Sequence, residues 1–502
     1  MRDVDTDFTD LPLANLADAA LTRARELGAE HADLRVERVR DAGVDLRDAR
    51  LTSSGDDTDS GLAVRVVVDG TWGFAAATAL SPDEAAAVAE RAVDIARVSR
   101  PLSTERIELA EEPVHADARW VSAYDVDPFD VPTAEQAALL EGWSRRLLDA
   151  GVTHVDASVR SVKEQKFYAD LGGTRTAQQR VRMQPEVTVV EVTDDGMETM
   201  RTTAPPVGRG WEYMTGAAWD WDGELAQLPE MVREKLAAPG VEAGAYDLVI
   251  DPSNLWLTIH ESIGHATELD RALGYEAAYA GMSFATLDRL GSLRYGSEIM
   301  HVTGDRTVEH GLATVGYDDE GVEAQRWDLV RDGVLVGYQL DRRMARMHDL
   351  GDPAGRSNGC AHADSSGHVP LQRMANVSLQ PAPDGGSLDD VIGNVERGIY
   401  VVGDKSWSID MQRYNFQFTG QRFYRIENGR LAGQLKDVAY QATTTEFWGS
   451  LTALGGPQTY QLGGAFNCGK GQPGQVAAVS HGCPVALFSG VNVLNTTQEG
   501  GR

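Results

Sequence analysis

The sequence predicts an α+β fold, with an N-terminal antiparallel sheet and flanking helices, and a C-terminal strand-rich domain that carries one unusual helix with two histidines. Three observations predict it. Amphipathic helical segments alternate with strand segments up to about residue 215, strand signals predominate from Tyr246 onward, and Asp-Gly and Asn-Gly pairs join successive strands. The chain has 502 residues, 42% of them hydrophobic and 24% charged, which is enough for a sizeable core in each of about two or three domains.

The first elements alternate between helix and strand. ALTRARELG is predicted as a helix that ends at Gly28, and HADLRVERV as the strand that follows. GLAVRVVVDGTWGFAAAT is predicted as a hairpin that turns at Asp69-Gly70, because these residues tolerate the positive φ angles of a tight turn. SPDEAAAVAERAVDIARV is then a helix with Ser81 as its N-cap and Glu84 completing a capping box. This order predicts an antiparallel sheet covered by helices.

A second set of elements begins at Thr133. The residues T-A-E-Q predict another capping box, and Leu140, Trp143 and Leu147 form the apolar stripe of a helix that ends at Gly151. Strand signals then follow, as they do after the first helix.

One short pattern occurs in both sets. Gly-x-x-His-x-Asp is found at residues 28–33 and again at 151–156, each time between a predicted helix and a predicted strand. It indicates either a repeated unit or two similar turns.

The composition changes after residue 205 and suggests the domain boundaries. Residues 1–215 are predicted as an N-terminal α+β region, with a division into 1–120 and 121–215 as an alternative. Residues 216–245 are predicted as a linker, and residues 246–502 as a β-rich domain.

The C-terminal domain has two further hairpin signals, at Asp332-Gly333 and Asn428-Gly429. Between them, residues 349–370 are rich in Gly, Ser, His and Asp and are predicted as a long loop. Loops of this length in compact domains are usually functional.

The charge balance excludes several classes of partner. With 46 basic and 76 acidic residues, the formal net charge is 46 − 76 = −30, and so acidic a surface repels nucleic-acid phosphates and anionic lipid. We therefore expect no nucleic-acid partner and no membrane partner. The three cysteines, Cys360, Cys468 and Cys483, are too few for a disulfide framework, and no leader or long apolar run is evident, so we expect a cytoplasmic protein.

Residues 260–265 read HESIGH and lie in a predicted helix whose N-cap is Asp251. In zinc hydrolases two neutral imidazoles hold the metal, and an adjacent glutamate, here Glu261, accepts a proton from water. The familiar spacing between the histidines is four residues, which brings both imidazoles to one face of the helix.

Here the two histidines are five residues apart, which changes the geometry. At about 100° per residue, His265 points roughly 140° away from His260 on an ideal helix. One extra residue in the turn, as in a π-bulge, brings the rings back together, and such bulges are often found at functional sites. Gly264 is where we expect the backbone to deform most easily. The alternative is that the two histidines are unrelated polar residues on opposite faces of a buried helix.

Several stretches together resemble the TldD/PmbA family of metalloproteases, and in particular its TldD-type catalytic subunit. In chain order they are AEHADLRVERV, SGLAVRVVVDGTWGFA, HESIGHATELD, TVGYDDEGVEAQ, LQRMANVSLQP, GIYVVGD, YRIENG and NCGKGQPGQ. The resemblance covers nearly the whole chain. The segment GYEAAYAGMSFATLDRLGS, residues 274–292, departs from the Gly- and Ser-containing loop of the family, so no substrate contacts are carried over there.

The resemblance implies a zinc site whose protein ligands are His260, His265 and Cys468. It also implies that Glu261 is the general base. Two imidazoles and one thiolate leave a fourth position open for water, as in catalytic zinc sites. Without the resemblance, Cys483 and Glu268 are open alternatives for the third ligand, and the roles of Cys360 and Cys483 stay open.

We therefore expect a zinc-dependent metallopeptidase of the HExxxH type that cleaves unfolded or extended peptides held by strand addition. Arg373, Asn376 and His481 are expected to contact the substrate. The resemblance implies a complex with a paralogous subunit that lacks the metal motif, and self-association is the alternative. Two other functions stay open, a dedicated peptide-maturation amidase and a non-catalytic assembly or binding protein of the same family.

Overall fold

The structure, a computed structural model, describes residues 2–194, 196–351, 353, 355–471 and 474–497. It confirms the predicted α+β class, with an antiparallel sheet in the N-terminal part and a strand-rich C-terminal part. Gln472 and Pro473 of the NCGKGQPGQ stretch, and Asp352 and Ala354 of the predicted long loop, lie outside the described residues. Within the described ranges, no helix combines the length and the apolar character that crossing a membrane requires.

A seven-stranded sheet forms the N-terminal part. Its strands are β1 (His31–Arg47), β2 (Arg50–Val68), β3 (Thr71–Ala77), β4 (Ala118–Val121), β5 (His154–Asp170), β6 (Arg175–Thr193) and β7 (Gly196–Arg201). They lie in the order β3-β2-β1-β5-β6-β4, with β7 also beside β6, and only the β4–β6 pair is parallel among these described strands. The helices of this part are α1 (Thr6–Thr9), α2 (Leu13–Glu26), α3 (Pro82–Ser99), α4 (Thr133–Asp149) and α5 (Trp221–Ala237).

The N-terminal part is built from two similar units. The first runs α2-β1-β2-β3-α3 and the second runs α4-β5-β6-β7-α5, and the first strands of the two units, β1 and β5, pair antiparallel at the centre of the sheet. Gly28 and Gly151 end the first helix of each unit with φ angles of 85° and 86°, where glycine is favoured because it has no Cβ. The structure therefore favours the repeated unit over two coincidentally similar turns.

The strands of the sheet have two differently composed faces. Leu34 and Val36 of β1 pack in an apolar cluster with side chains of α2 and α3. Asp33, Arg35 and Glu37 alternate with them, as the two-residue period of a strand requires, and are buried on the other face. Ion pairs on that face, such as Arg65–Glu320 and Lys166–Asp319, join the sheet to the C-terminal part.

The helix caps agree only in part with those predicted from the sequence. Ser81 is the N-cap of α3 and its side chain accepts from Glu84 N, but the Glu84 carboxylate accepts from Arg91 and does not complete the box. The capping box at Thr133 is wrong, because Thr133 is the first helical residue after Pro132. Gln136 instead donates to carbonyl oxygens that precede the helix.

The three predicted hairpin turns are confirmed. Both turn residues have positive φ at each, 48° and 65° at Asp69-Gly70, 50° and 72° at Asp332-Gly333, and 50° and 73° at Asn428-Gly429. Two consecutive left-handed residues match the right-handed twist of the flanking strands, which is why Asp-Gly and Asn-Gly are good hairpin signals.

The segment predicted as the linker contains α5. Trp221, Leu225 and Leu228 of this helix are buried in the apolar cluster of the second unit. The Trp221 ring stacks on Trp143 of α4, with 4.8 Å between the ring centroids. The division of the chain into domains stays a prediction.

The C-terminal part is rich in strands. They are β8 (Gly244–Ile250), β9 (Val302–Asp305), β10 (Arg326–Arg331), β11 (Val334–Leu335), β12 (Ala361–His362), β13 (Leu371–Gln372), β14 (Asn376–Leu379), β15 (Arg397–Ile409), β16 (Asn415–Glu427), β17 (Arg430–Leu435), β18 (Val438–Thr443), β19 (Leu451–Leu454), β20 (Gln461–Lys470), β21 (Gln475–Cys483) and β22 (Ala486–Asn495). The helices are α6 (Pro252–Ile259), α7 (Leu269–Ala272), α8 (Arg342–His348), α9 (Leu388–Gly393) and α10 (Thr444–Gly449).

These strands form one large sheet and three small ones. The large sheet has the order β15-β8-β22-β18-β16-β17, with β19 beside β22 and an additional β15–β16 pairing that closes a ring of strands. The small sheets are β11-β10-β9-β14, β12-β13 and β20-β21. Helix α6 contacts β15 of the large sheet and β20 and β21 of a small one, so the helix that carries HESIGH lies between them.

Candidate metal centre

The HESIGH stretch is a distorted extension of α6. Asp251 caps the helix by accepting from Ser253 N at 3.0 Å. The regular helix ends at Ile259, residues His260–Gly264 form a single π-helical turn, and His265–Thr267 form a 3₁₀ turn. The predicted bulge is therefore confirmed, and it brings the rings of His260 and His265 to a centroid distance of 4.6 Å.

Gly264 serves a different purpose from the one the sequence suggested. Its φ and ψ are −53° and −60°, an ordinary right-handed helical conformation that other residues adopt. A Cβ at this position would lie 2.5 Å from Met374 Sδ, which is far inside van der Waals contact. The glycine thus gives Met374 room to pack against the π-helical turn.

Cys468 comes from the β20-β21 hairpin and reaches the same place. One ligand atom from each of His260, His265 and Cys468 lies within 4.8 Å of the others, and all three residues are buried. Cys468 Sγ is 3.7 Å from His265 Nε2. In the part of the chain that the structure describes, this is the one group of three or more His, Cys, Asp or Glu side chains that could hold a metal ion.

Hydrogen bonds to Nδ1 of His260 and of His265 leave the Nε2 atom of each imidazole free to bind a metal. His481 Nδ1 donates to Val377 O at 2.8 Å, so its Nε2 accepts from His260 Nδ1 at 2.7 Å. This tautomer, inferred from the hydrogen-bond chain, keeps a lone pair on His260 Nε2. His265 Nδ1 donates to Glu268 Oε2 at 2.8 Å, which keeps a lone pair on its Nε2. Backing contacts of this kind orient the histidine ligands of metal sites.

The pKa shifts of the three candidate ligands also favour the protonation states that bind a metal. Burial lowers the pKa of both His260 and His265, which favours neutral imidazole. Burial alone would raise the pKa of the Cys468 thiol, but its contact with His265 outweighs burial and leaves that pKa below its ordinary value. Neutral imidazoles and a thiolate are the forms that bind zinc.

A buried ionic network supports His265 from behind. Lys470 is fully buried and donates to Glu268 Oε1 at 3.0 Å, to Asp270 Oδ1 at 2.8 Å and to Gln372 O at 2.7 Å. Since Lys470 lies two residues after Cys468 on β20, it ties the strand of the thiol to the carboxylate that orients the imidazole. Glu268, an open alternative for the third metal ligand on the sequence alone, accepts hydrogen bonds from His265 and Lys470 instead.

Glu261 lies beside the three candidate ligands and lines a cleft. The cleft has a volume of about 460 Å³ and lies between β6 and β7 of the N-terminal sheet and β15 and β20 of the C-terminal part. Glu186, Arg201, Trp256 and Asp404 belong to its walls. One oxygen of Glu261 accepts from Arg413 Nη1.

Each of the three residues predicted to contact substrate makes hydrogen bonds within the chain. Arg373 is 1% exposed and donates to Gln475 O and to Cys468 O, so it holds the hairpin that carries the thiol. Asn376 accepts from Ala313 N and Ser480 N. His481 backs His260, as described above, and none of the three is among the described residues that line the cleft. The geometry favours positioning roles for them, and substrate contact stays a prediction.

Two residues of the site were not found from the sequence. Lys470 lies in the NCGKGQPGQ stretch, and the charge that it adds next to Cys468 was the available signal. Arg413 lies in the turn between β15 and β16, and nothing in the sequence connects it to Glu261, because the two are 152 residues apart.

Comparison with known proteins identifies the family of the chain. Residues 243–495 match the family model described as the PmbA/TldA metallopeptidase C-terminal domain, and residues 32–96 match the PmbA/TldA metallopeptidase domain 1. The first match alone spans more than half of the chain. The chain therefore belongs to the PmbA/TldD family of metallopeptidases, as its sequence led us to expect.

Two curated relatives each align with more than nine-tenths of the chain. A metalloprotease of Methanothermobacter thermautotrophicus is 26% identical over 486 residues, which are 96% of this chain and 97% of that protein. A zinc metalloprotease TldD homolog of Saccharolobus solfataricus is 24% identical over 469 residues, 92% of this chain and 96% of that protein.

Solved structures share the fold. A Thermotoga maritima protein described as a candidate modulator of a DNA gyrase has a TM-score of 0.76 at 14% identity and covers 96% of this chain and 100% of its own. TldE from Thermococcus kodakarensis has a TM-score of 0.71 at 15% identity and covers 95% of this chain and 99% of its own.

Proposed function

We propose that the chain is a zinc-dependent peptidase whose metal is held by His260, His265 and Cys468 and whose general base is Glu261. The observation that carries the proposal is the convergence of three ligand atoms within 4.8 Å beside a carboxylate in a cleft. Two imidazoles and a thiolate favour zinc over harder metals. The naming of a relative as a zinc metalloprotease supports the same choice.

The chemistry follows from the positions of these groups. A metal bound there supplies Lewis acidity to the scissile carbonyl. Glu261 takes a proton from the attacking water, whose oxygen bonds to the carbonyl carbon. As the C–N bond breaks, Glu261 returns the proton to the leaving amine nitrogen, so that the carboxylate is regenerated.

The cleft suits an extended peptide. β8 pairs with β15 over Gly398–Val401, whereas Asp404 and residues 407–409 of β15 pair with β16 alone among the described residues. Asp404, Lys405 and Trp407 of this half-paired stretch line the cleft. A substrate main chain added to that open edge would gain strand hydrogen bonds, which folded segments cannot offer. We therefore propose unfolded or extended peptides as substrates.

We further propose that the chain acts in the cytoplasm and pairs with a paralogous subunit or with a second copy of itself. The solved relative named TldE supports the paralogue only at the level of a shared fold.

Replacing the proposed base tests the function. Glu261→Gln keeps the shape of the side chain but cannot accept the proton, so we expect full metal content and a loss of peptide hydrolysis of about 100- to 10,000-fold. The measurements are metal analysis of the purified chain and hydrolysis of an unstructured peptide.

The cysteines give the matched control. Cys468→Ala is expected to lose the metal, whereas Cys483→Ala is expected to keep it, because Cys483 is also buried but lies outside the ligand set. Wild-type hydrolysis by Glu261→Gln, or full metal content in Cys468→Ala, contradicts the proposal.

A further inference from the structure

Arg413 is the cation that touches the proposed general base. Its Nη1 donates to Glu261 Oε2 and its Nη2 donates to Ala280 O at 3.3 Å. The side chains of Arg413 and Glu261 are 13% and 7% exposed, so water competes weakly for this ion pair. Nε of Arg413 is buried without a hydrogen-bond partner in the described part of the chain, which leaves the contact with Glu261 as the main charged interaction of the guanidinium.

The turn that presents Arg413 is held in one conformation. Arg413 has a φ of 61°, in the left-handed region that residues other than glycine seldom adopt. The Asp410 carboxylate accepts from Gln412 N at 3.1 Å, from Tyr414 N at 2.8 Å and from Asn415 Nδ2 at 2.6 Å. Hydrogen bonds within the turn therefore hold its conformation without any contribution from the contact between Arg413 and Glu261.

The chain after the metal-site helix docks on the same turn. Met282 N donates to Met411 O at 2.7 Å, and Phe284 N donates to Gln412 O at 2.9 Å. Gly281, with a φ of 84°, allows this approach, because a Cβ there would lie 2.1 Å from Met411 O. These contacts fix the distance between the turn and the segment that follows HESIGH.

We propose that Arg413 is a positioning residue for Glu261. By holding Oε2, it turns Oε1 toward the cleft as the oxygen that accepts the proton. The inference rests on the proposed function, because it requires Glu261 to be the base. A glutamate side chain has several freely rotating torsions, and a displacement of about 1 Å at a reacting group can cost about 100-fold in rate. The ion pair removes that freedom.

Substitution at Arg413 tests the inference through the kinetic constants. Arg413→Gln is expected to lower kcat by about 100-fold, with KM and metal content close to those of the wild type, since Arg413 holds neither the substrate strand nor the metal ligands. Arg413→Lys keeps a cation and is expected to restore part of kcat. Arg356→Gln is the matched control, because it breaks another partly buried ion pair, with Glu112, and neither residue lines the cleft or belongs to the candidate ligands.

A second measurement does not depend on activity. In the metal-free chain, Arg413→Gln leaves the Glu261 carboxylate buried without its cation and should lower the melting temperature. In a Glu261→Gln background the same substitution should lower it much less, because no carboxylate is left unpaired. Unequal shifts measure the coupling between the two side chains.

The outcomes separate the two proposals. A Glu261→Gln variant at the wild-type rate overturns the proposed function itself. An inactive Glu261→Gln variant beside a fully active Arg413→Gln variant overturns only the role of Arg413. Loss of metal in Arg413→Gln, or equal melting shifts in the two backgrounds, also overturns that role, whereas a drop confined to kcat with partial rescue by lysine supports it.

Discussion

At the scale of single residues, Lys470 connects two of the candidate metal ligands, His265 and Cys468. Its ammonium group holds Glu268, which orients His265, while its backbone belongs to the strand of Cys468. Lys470→Met leaves the buried carboxylates of Glu268 and Asp270 without this cation. We expect zinc affinity to fall by about 10- to 100-fold, as is common when a group behind a metal ligand is removed.

Chelator competition on the purified chain measures this affinity. Lys436→Met is the control, because Lys436 is a partly buried lysine that donates to a backbone carbonyl away from the site. Equal zinc affinity in wild type and Lys470→Met would show that His265 is oriented without Lys470.

Some residues of the candidate site could be predicted from the sequence and others could not. His260, Glu261 and His265 were predicted as site residues because they lie in one short motif, and Cys468 because the whole chain resembles a family. Arg413 and Lys470 act on partners 152 and 202 residues away. No local pattern encodes such contacts, since they arise only when the turn, the hairpin and the helix meet.

At the scale of elements, the π-helical turn depends on the missing side chain of Gly264. Gly264→Ala would place a methyl group 2.5 Å from Met374 Sδ, and overpacking a core costs about 1–3 kcal/mol. Met374 is flexible and alanine favours helix by up to about 1 kcal/mol, so we expect a net loss of about 1 kcal/mol in the free energy of unfolding. In a Met374→Ala background the same change is expected to be neutral or stabilising. Urea denaturation of the four chains measures the difference, and an equal loss in both backgrounds would refute the packing explanation.

Elements set by local chemistry were the ones that the sequence predicted well. Asp-Gly and Asn-Gly turns need only two residues with positive φ. The five-residue spacing of the histidines needs a bulge if both rings are to lie on one face, wherever the helix lies in the fold. The prediction of a capping box at Thr133 was wrong because the helix begins differently. Pro132 takes the N-cap position, and the side chain of Gln136 donates to a backbone carbonyl that precedes the helix. Strands β1 and β2 also extend beyond the predicted stretches, to 17 and 19 residues, because pairing across the sheet continues past the apolar pattern.

At the scale of the whole molecule, the cleft exists because the two parts of the chain meet over a buried ionic layer. One face of the N-terminal sheet carries charged residues at the strand period, and they pair with acidic residues of the 318–320 segment. From sequence alone these positions look like a solvent-exposed face, since charged residues alternating with apolar ones are typical of a half-exposed strand. The contact between the two parts, and the cleft beside it, could therefore not be predicted.

Substitution of Arg65 measures how much this ionic layer contributes to the free energy of unfolding. It donates to Asp33 Oδ2 at 3.0 and 2.9 Å and to Glu320 Oε1 at 2.9 Å, and all three side chains are buried. Removing one partner of a buried ion pair costs about 3–5 kcal/mol. We expect Arg65→Met to lose about that much free energy of unfolding at neutral pH. Arg40→Met, which breaks an exposed pair with Asp56, is expected to lose about 0–1 kcal/mol.

The loss caused by Arg65→Met should also depend on pH in a defined direction. Burial alone would raise the pKa of Asp33, but Arg65 and His31 outweigh it and lower that pKa from 3.8 to about 2. A carboxyl group with a depressed folded-state pKa contributes stability above its unfolded value, and this contribution is lost as the pH falls through the folded value. The difference between wild type and Arg65→Met should therefore be full at neutral pH and shrink as the pH falls toward 2, where Asp33 becomes protonated in the folded wild type as well. Urea denaturation at a series of pH values measures it, and a difference that stays constant down to the lowest pH would mean that Arg65 does not act through Asp33.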